Sequence, residues 1–233
     1  MTMRILAIDV GGTHVKLLAT GRRVPVKIAS GSRMTPRRMV ATVKRLAEGW
    51  RYEVVSIGYP GPVLHRRAIA EPHNLGPGWV GFDFKRALGR PVRMVNDAAM
   101  QALGSYRGGR MLFLGLGTGL GSALIVDGSL EPMELAHLPY RKGRTYEDYV
   151  GLRGLERLGK KKWRRAVEDV AMRLKAALEA EEIVFGGGNA KLLKKLPPDT
   201  RLVTNMNAFV GGFRLWEQDE AAHRPKRTRR KTR

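Results

Sequence analysis

The alternation of apolar and polar positions divides the chain into short, regular segments. Arg4–Val10 is an apolar run that ends in Asp9 and a glycine pair, and Val15–Ala19 is apolar again, which predicts strand, glycine turn and strand. Val24–Ala29 predicts a third strand. Thr35-Pro36 offers an N-cap followed by proline at the first helical position. Val40, Val43, Leu46 and Ala47 then recur at helical spacing until Gly49 stops the pattern. Val54–Ile57 reads as a buried strand, whereas residues 58–81 are too rich in glycine and proline to be one regular element. Val92–Val95 predicts another strand, with a helix opening at Asp97 and running to Leu103.

The pattern then restarts. Met111–Leu116 predicts a strand, Gly117-Thr118-Gly119 a turn and Ser122–Val126 a strand, echoing the opening strand, Gly-Gly-Thr and strand. Trp163, Val167, Val170, Leu174 and Leu178 recur at helical spacing and predict a long helix reaching about Ala180. Ile183–Phe185 reads as a short strand, followed by Gly186-Gly187-Gly188 and a helix over Lys191–Leu196. Leu202–Thr204 is strand-like and Ala208–Trp216 reads as a closing helix. Each half thus begins with a hairpin around a Gly/Thr turn and continues into alternating β and α. The expected architecture is a pair of α/β lobes related by duplication with a cleft between them. The expected division is 1–105, 106–220 and a basic, disordered tail over 221–233.

Composition changes this picture mainly through charge. The 233 residues carry 43 Lys and Arg against 21 Asp and Glu, a formal net charge of +22. Such a surface attracts polyanions: nucleic acid, polyphosphate, phosphorylated metabolites or anionic lipid. The basic residues cluster in Arg22–Arg45, in Arg141–Arg165 and in the tail Arg224–Arg233. A solvated basic surface and a track for a phosphate chain are both consistent with this clustering. Aromatic residues are 7% of the chain, and no row of them alternates with the basic positions as a base-stacking surface requires, so nucleic acid is not the favoured partner. With no cysteine, disulfides, cysteine-based zinc sites and a cysteine nucleophile are excluded. No apolar run approaches the roughly 20 residues needed to span a bilayer. The N-terminus lacks the pattern of a signal peptide, so a cytoplasmic protein is expected.

Several short motifs carry candidate chemistry. In Asp9-Val-Gly11-Gly12-Thr13-His-Val-Lys16, two glycines let the backbone turn tightly and turn N–H donors toward phosphate oxygens. Thr13 adds a hydroxyl, Lys16 a cation, and Asp9 a carboxylate able to hold Mg²⁺ through water. An ordinary Gly-Gly hairpin explains the same residues. Gly115-Leu-Gly117-Thr118-Gly119-Leu-Gly121 is a second such loop, and it fits neither GxGxxG nor a P-loop. Gly186-Gly187-Gly188-Asn189, between a strand and a helix, can admit a phosphate chain or simply connect two elements. Asn96-Asp97 suits a helix N-cap, the reading that position alone favours, and Asp97 could also serve as a general base accepting a hydroxyl proton. Glu134 and His137 would share a face of a helical turn and could grip adjacent sugar hydroxyls. A lone His/Glu of this kind is more often a satisfied surface pair, and no third ligand stands near enough in sequence to make them a metal site. Glu147 and Asp148 add further acceptors or lie on the surface. In Glu71-Pro-His-Asn74-Leu-Gly-Pro-Gly-Trp79, Asn74 could face a hydroxyl and Trp79 suits a packing anchor.

Together and in this order, AIDVGGT, PGPV, N-L-x-x-GW, VNDA, GLGTGLGSA, ELAHL and FGGGN resemble the ROK family of sugar kinases and regulators, from Arg4 to about Trp216. The chain is most similar to its polyphosphate glucokinase branch, with Gly143–Gly151 and Lys160–Trp163 adding to that likeness. The resemblance implies a two-lobed actin/hexokinase-like ATPase fold, a ribonuclease H-like duplication, and phosphoryl transfer to the 6-hydroxyl of glucose or a related hexose. It implies Asp97 as the catalytic base and Asn74, Asn96, Asp97, Glu134, His137 and Glu147 as sugar-binding positions. It implies Asp9, Gly11, Gly12, Thr13, Lys16, Gly117, Thr118, Gly119, Gly186, Gly187 and Gly188 at the phosphoryl donor. The donor would be polyphosphate, ATP or both, with Mg²⁺ and without zinc, in a homodimer. The usual cysteine-rich zinc motif is missing, as in that branch, and Ala136 replaces the glycine of the family's ELGH, which bears on which hexose is used. The rival readings are an ATP-dependent hexokinase of the same family and a non-catalytic polyanion-binding protein on a kinase scaffold.

Overall fold

A computed structural model describes residues 3–222. The first half runs β1 (Ile5–Val10), β2 (His14–Ala19), β3 (Val26–Ala29), α1 (Pro36–Leu46), β4 (Val54–Tyr59), a hairpin of β5 (Val63–Leu64) and β6 (Arg67–Ala68), α2 (Phe84–Leu88), β7 (Val92–Asn96) and α3 (Asp97–Ser105). The second half runs β8 (Arg110–Leu116), β9 (Leu120–Val126), β10 (Ser129–Met133), a 3-10 turn at Leu135–His137, a hairpin of β11 (Pro139–Arg141) and β12 (Arg144–Thr145), α4 (Tyr146–Val150), α5 (Leu152–Ala177), β13 (Glu182–Gly186), a second 3-10 turn at Ala190–Leu192, β14 (Thr200–Leu202) and α6 (Met206–Ala222).

The halves share one topology. The first sheet has the order β3-β2-β1-β4-β7 and the second β10-β9-β8-β13-β14, each an antiparallel three-stranded meander extended by parallel strands. Period-2 alternation assigns each side chain to a layer. Along β1, Leu6, Ile8 and Val10 join Met39, Val40 and Val43 of α1, while Ile5 and Ala7 face the other way. Along β8, Leu112, Leu114 and Leu116 join Trp163, Val167 and Val170 of α5, while Met111 and Phe113 face α3. The middle layer, α3 and α6, therefore lies between the two sheets. Its core gathers Ala98–Met100 and Leu103 with Val54 of the first sheet, Phe113 and Ile125 of the second, and Trp216 of α6.

Small residues set the spacing of that layer. A Cβ at Gly104 would collide with the Asn207 carbonyl, and one at Gly211 with the Met100 carbonyl, so α3 and α6 cross with their backbones in contact. The Asn207 amide donates to the Gly104 carbonyl (3.1 Å), and the Arg214 guanidinium donates to the carbonyls of Leu103 (2.9 Å) and Tyr106 (3.0 Å), satisfying the end of α3. The closing helix, expected in the second half, covers the first sheet. Gly212 abuts Ala7 of β1, the Ser56 hydroxyl donates to the Gly212 carbonyl, and the Trp216 indole N–H donates to the Ser56 Oγ (2.9 Å).

The expected α1 forms with Thr35 accepting from the Arg38 N–H as its cap. The long helix is broken at Gly159, which adopts φ 69°. The helix expected over Lys191–Leu196 is only the 3-10 turn at Ala190–Leu192, because the Leu192 carbonyl is taken by Arg164 (2.6 Å) and Pro197-Pro198 follow. The strand expected over Leu202–Thr204 lies earlier, at Thr200–Leu202. Of the disordered tail expected over 221–233, residues 221–222 instead end α6, and 223–233 lie outside the described residues. Gly211→Ala is expected to lower the unfolding free energy by about 1–3 kcal/mol in chemical denaturation, as overpacking does where backbones are in contact.

Candidate active site

The site begins where β7 passes into α3. The Asn96 Oδ1 accepts the N–H groups of Ala98 (2.9 Å) and Ala99 (3.2 Å), and its amide donates to the Gly61 carbonyl (3.1 Å). Asn96 is thus the N-cap of α3 and also ties that cap to the loop after β4. Asp97 is the first residue of the helix, and its Oδ1 accepts the Ala98 N–H (2.8 Å). Two glycines let the sheets close on this turn. A Cβ at Gly58 would lie 3.5 Å from the Asp97 Cα and collide with Met100, and one at Gly121 would lie 2.8 Å from the Ala98 Cβ.

This confinement controls the chemistry of Asp97. Burial raises its pKa to about 7, helped by the negative charges of Asp9 and, to a lesser degree, Glu134. The Ala98 N–H opposes the rise. The extra stability associated with the raised pKa is fully present in acid, where the carboxyl is neutral, and is lost as pH rises through about 7. Asp97→Asn is therefore expected to raise the melting temperature more at pH 8 than at pH 5. Equal shifts at both would show that the group ionises freely.

Asp9 reaches this turn because it shares the β1 face of Ile5 and Ala7. It is 3% exposed. The β1–β2 register sets it opposite Lys16, whose Nζ stands 2.7 Å from the Asp9 Oδ2. The first glycine loop closes through the Gly11 N–H and His14 carbonyl (3.0 Å). It is held from the end of β3, where the Ser30 hydroxyl donates to the Gly11 carbonyl (2.7 Å) and the Ser30 N–H to the Thr13 carbonyl (3.0 Å). Thr13 is exposed, and Gly12 approaches Asn74 so closely that a Cβ there would lie 3.1 Å from the Asn74 Cβ. Asn74 is held on an ordered loop. The Glu71 carboxylate accepts the N–H groups of Gly78 (3.0 Å), Trp79 (3.1 Å) and Val80 (3.0 Å), bonds that hold its pKa below the usual range, with Val80 the largest contributor. The Trp79 indole donates to the Gly76 carbonyl (2.7 Å) and packs between Tyr59 and Phe84.

The second glycine loop is built differently. Its Gly117 N–H donates to the Gly119 carbonyl (3.1 Å), and Leu152, opening α5, donates to the Thr118 carbonyl (3.1 Å). Glu147 packs where a Cβ on Gly119 would collide with its carboxylate, accepts the Leu120 N–H (3.1 Å) and stands 3.6 Å from Arg153. Gly186–Gly188 lies beside this loop. The Asn189 N–H donates to the Leu116 carbonyl (2.9 Å) and its amide to the Gly117 carbonyl (3.0 Å). Gly187, at φ 83°, crosses the Leu116 backbone where no Cβ would fit, while the Cα of Gly188 faces open space.

Glu134, just before the 3-10 turn that follows β10, and His137, its last residue, are both exposed. Ser122, buried in β9 beside Gly121, donates to the Met133 carbonyl (2.8 Å) and accepts the Leu135 N–H (3.2 Å), so it fixes the segment carrying Glu134. Ala136 between them is 3% exposed and its methyl belongs to the second core, so the Gly-to-Ala difference points away from the exposed face of the turn.

The structure thus gathers Asp9, Lys16, Asp97 and Glu134 into one field, joins Asn74 to the first loop, and joins Glu147 and the glycine triple to the second. Ser122, Asn189 and Glu71 were not singled out as functional positions from sequence. Their signals were a serine inside an apolar strand, an asparagine closing a glycine run, and a carboxylate opening a Gly/Pro loop. No cluster of three or more His, Asp or Glu able to hold a metal ion occurs among the described residues. A Mg²⁺ bound chiefly by phosphate oxygens needs only one or two carboxylates. Asp9, buried and close enough to Asp97 to raise its pKa, fits that requirement.

Two like sheets with glycine hairpins, enclosing a helix that starts on a half-buried carboxylate, define the actin/hexokinase-like fold of sugar kinases. The structure superposes with TM-score 0.77 on inorganic polyphosphate/ATP-glucomannokinase from Arthrobacter sp. strain KM, at 24% identity, covering 93% of this chain and 99% of that one. It superposes with TM-score 0.69 on a ROK family glucokinase from Streptomyces griseus, solved with glucose and AMPPNP, at 19% identity over 92% of this chain and 99% of that one. The model of the ROK family matches residues 5–132, and the chain belongs to that family. In sequence it is 28% identical to polyphosphate glucokinase of Mycobacterium tuberculosis, covering 82% of this chain and 80% of the relative. It is 30% identical to N-acetylmannosamine kinase of Salmonella newport over 55% of this chain and 49% of that relative. These relatives are sugar kinases, which makes this chain a phosphotransferase of sugars. No helix among the described residues is long and apolar enough to cross a membrane.

Proposed function

We propose that this protein is a polyphosphate-dependent glucokinase that moves the terminal phosphoryl group of inorganic polyphosphate, and of ATP where that is the donor, to the 6-hydroxyl of glucose. The observation that carries the reading is Asp97: a carboxylate fixed at a helix start between the two sheets, with its pKa raised to about 7. A base with a pKa near the working pH is both largely ionised and strong enough to take a hydroxyl proton. The 28% identity to a polyphosphate glucokinase over most of the chain supports the donor and the sugar.

In this reading Asn74, Asn96, Glu134 and His137 orient the sugar, and Glu147 does so directly or through the second loop. Asp97 accepts the proton of the 6-hydroxyl as its oxygen attacks the terminal phosphorus in line. The O–H bond breaks, the new P–O bond forms, and the phosphoanhydride bond opens to release polyphosphate one unit shorter. Backbone N–H groups around Gly11, Gly12 and Thr13, and around Gly117, Thr118 and Gly119, stabilise charge on the transferred group together with Lys16. Gly186, Gly187 and Gly188 leave room for the rest of the donor. Asp9 would hold a Mg²⁺ bound with the donor, and the ion would supply charge neutralisation there. The domain division 1–105 and 106–220, a cytoplasmic location and a homodimer belong to the same proposal.

Asp97→Ala is expected to leave glucose binding nearly intact, measured by calorimetry, and to lower kcat by ~10²–10⁴. Near-normal turnover would remove Asp97 from the role. Because only the ionised carboxylate accepts the proton, kcat/KM for glucose is expected to fall as pH drops through about 7. The donor and sugar are tested by a panel of glucose, mannose and N-acetylmannosamine, each with long-chain polyphosphate or ATP. Polyphosphate turnover of glucose well above ATP supports the proposal. Turnover with ATP alone makes this an ATP-dependent hexokinase, and preference for N-acetylmannosamine follows the relationship to that kinase.

A further inference from the structure

The two basic segments read from the sequence stand in different relations to the donor loops. Segment Arg22–Arg45 is tied through Ser30 to the first donor loop and has no hydrogen bond to the second loop or the glycine triple among the described residues; its Arg22 stacks on Trp50, 4.0 Å from the ring centroid. The second segment is built onto those loops. Leu152 donates to Thr118, Asn189 joins the triple to Gly117, and the Arg164 Nε donates to the Leu192 carbonyl (2.6 Å). This last bond sets the face of α5 that carries Arg164 against the turn that follows Gly186–Gly188.

The helix brings more charge to the same face. Lys160 and Lys161 precede Arg164 by four and three residues, the spacing that shares one side of a helix, and both are exposed. Trp163 fixes the rotation, since it is fully buried and its indole donates to the Val150 carbonyl (2.8 Å). Across the Arg164–Leu192 bond lie Lys191, Lys194 and Lys195, all exposed. None of these six cations pairs with a carboxylate among the described residues, and Glu168, one turn beyond Arg164, pairs with none of them. Six unneutralised cations at one junction repel each other, a cost that a solvated structural surface has no reason to concentrate there and that a bound polyanion removes.

We propose that this junction of α5 with the turn after Gly188, formed by Lys160, Lys161, Arg164, Lys191, Lys194 and Lys195, is the binding track for the distal part of an inorganic polyphosphate chain whose end lies in the donor loops. The inference rests on the donor reading above and deepens it: the junction supplies preference for long chains over short ones, and the segment Arg22–Arg45 does not. Phosphate units are sequence-free, so ammonium groups spaced along a surface suffice, without the stacking aromatics that nucleic acid uses.

The test is direct binding of long-chain polyphosphate and of tripolyphosphate to the full chain, followed by calorimetry at several salt concentrations. The variants are Lys191→Ala/Lys194→Ala/Lys195→Ala and a charge-matched control, Arg37→Ala/Lys44→Ala/Arg45→Ala. The wild type is expected to bind the long chain at least tenfold more tightly than tripolyphosphate. The lysine variant should lose most of that ratio, with a shallower dependence of log affinity on log salt, by about 0.7–0.9 for each contact removed if polyphosphate behaves as nucleic acid does. The control should keep the ratio, and circular dichroism should show both variants folded. A lysine variant that keeps the ratio, or a control that loses it equally, overturns the track while leaving polyphosphate as donor. Wild type that phosphorylates glucose with ATP and binds no polyphosphate overturns the donor reading and the track together. Equal loss of single-stranded DNA and polyphosphate affinity in the lysine variant would make the junction a general polyanion surface and overturn the assignment.

Discussion

The first turn of α3 is held between two sheets, and most of the molecule's arrangement serves that contact. Gly58 on β4 and Gly121 on β9 are the points where the sheets touch it; a side chain at either would push a sheet away from Asp97 or Ala98. The contact is sustained from behind by α6, whose backbone meets that of α3 at Gly104 and Gly211 and whose Trp216 is bonded to Ser56 of the first sheet. The carboxylate at the start of α3 is thereby half-buried, while Asp9 is brought near it by nothing more than its parity along β1. Fold and chemistry are coupled here: what closes the core is also what makes Asp97 a stronger base than an ordinary carboxylate.

The duplicated topology assigns the two hairpins unequal work. In the first, the strand register pairs Lys16 with Asp9 and the loop borrows support from Ser30 and the Asn74 loop. In the second, the loop is braced by Glu147, the start of α5 and Asn189. Membership of the ROK family accounts for the shared plan. The differences show which loop can take its cation from within and which stands beside an external surface of lysines. Ala136, the departure from the family's ELGH, turns its methyl into the core rather than out onto the exposed face that carries His137.

Elements whose apolar period is strong and uninterrupted were legible in the sequence. The β1–β2 and β8–β9 hairpins, α1 with its Thr35 cap and the start of α3 at Asp97 all follow from local pattern. Elements that depend on distant partners were not. The five-residue α2 and α4 are too short for a period, and β10 is mostly exposed and carries Pro132. Lys191–Leu196 has a helical composition, but its turn ends where Arg164 takes a carbonyl from another element. The return of α6 to the first sheet depends on Gly212 meeting Ala7, a contact between residues far apart in the chain. For the site, glycine runs and carboxylates could be seen in sequence. The residues that hold them in place, Ser122, Asn189 and Glu71, act through backbone bonds that no short motif announces.

The account stands on the ionisation of Asp97 in the intact fold. The direct measurement is a pH titration of the Asp97 carboxyl carbon by NMR in the ligand-free protein, assigned by comparison with Asp97→Asn. A midpoint near 7, moving down when Asp9 is replaced by asparagine, is the result predicted by burial and the neighbouring charge. A midpoint near 4, unmoved by Asp9→Asn, would contradict it, leaving Asp97 as a helix-start residue without the basicity on which the chemistry depends.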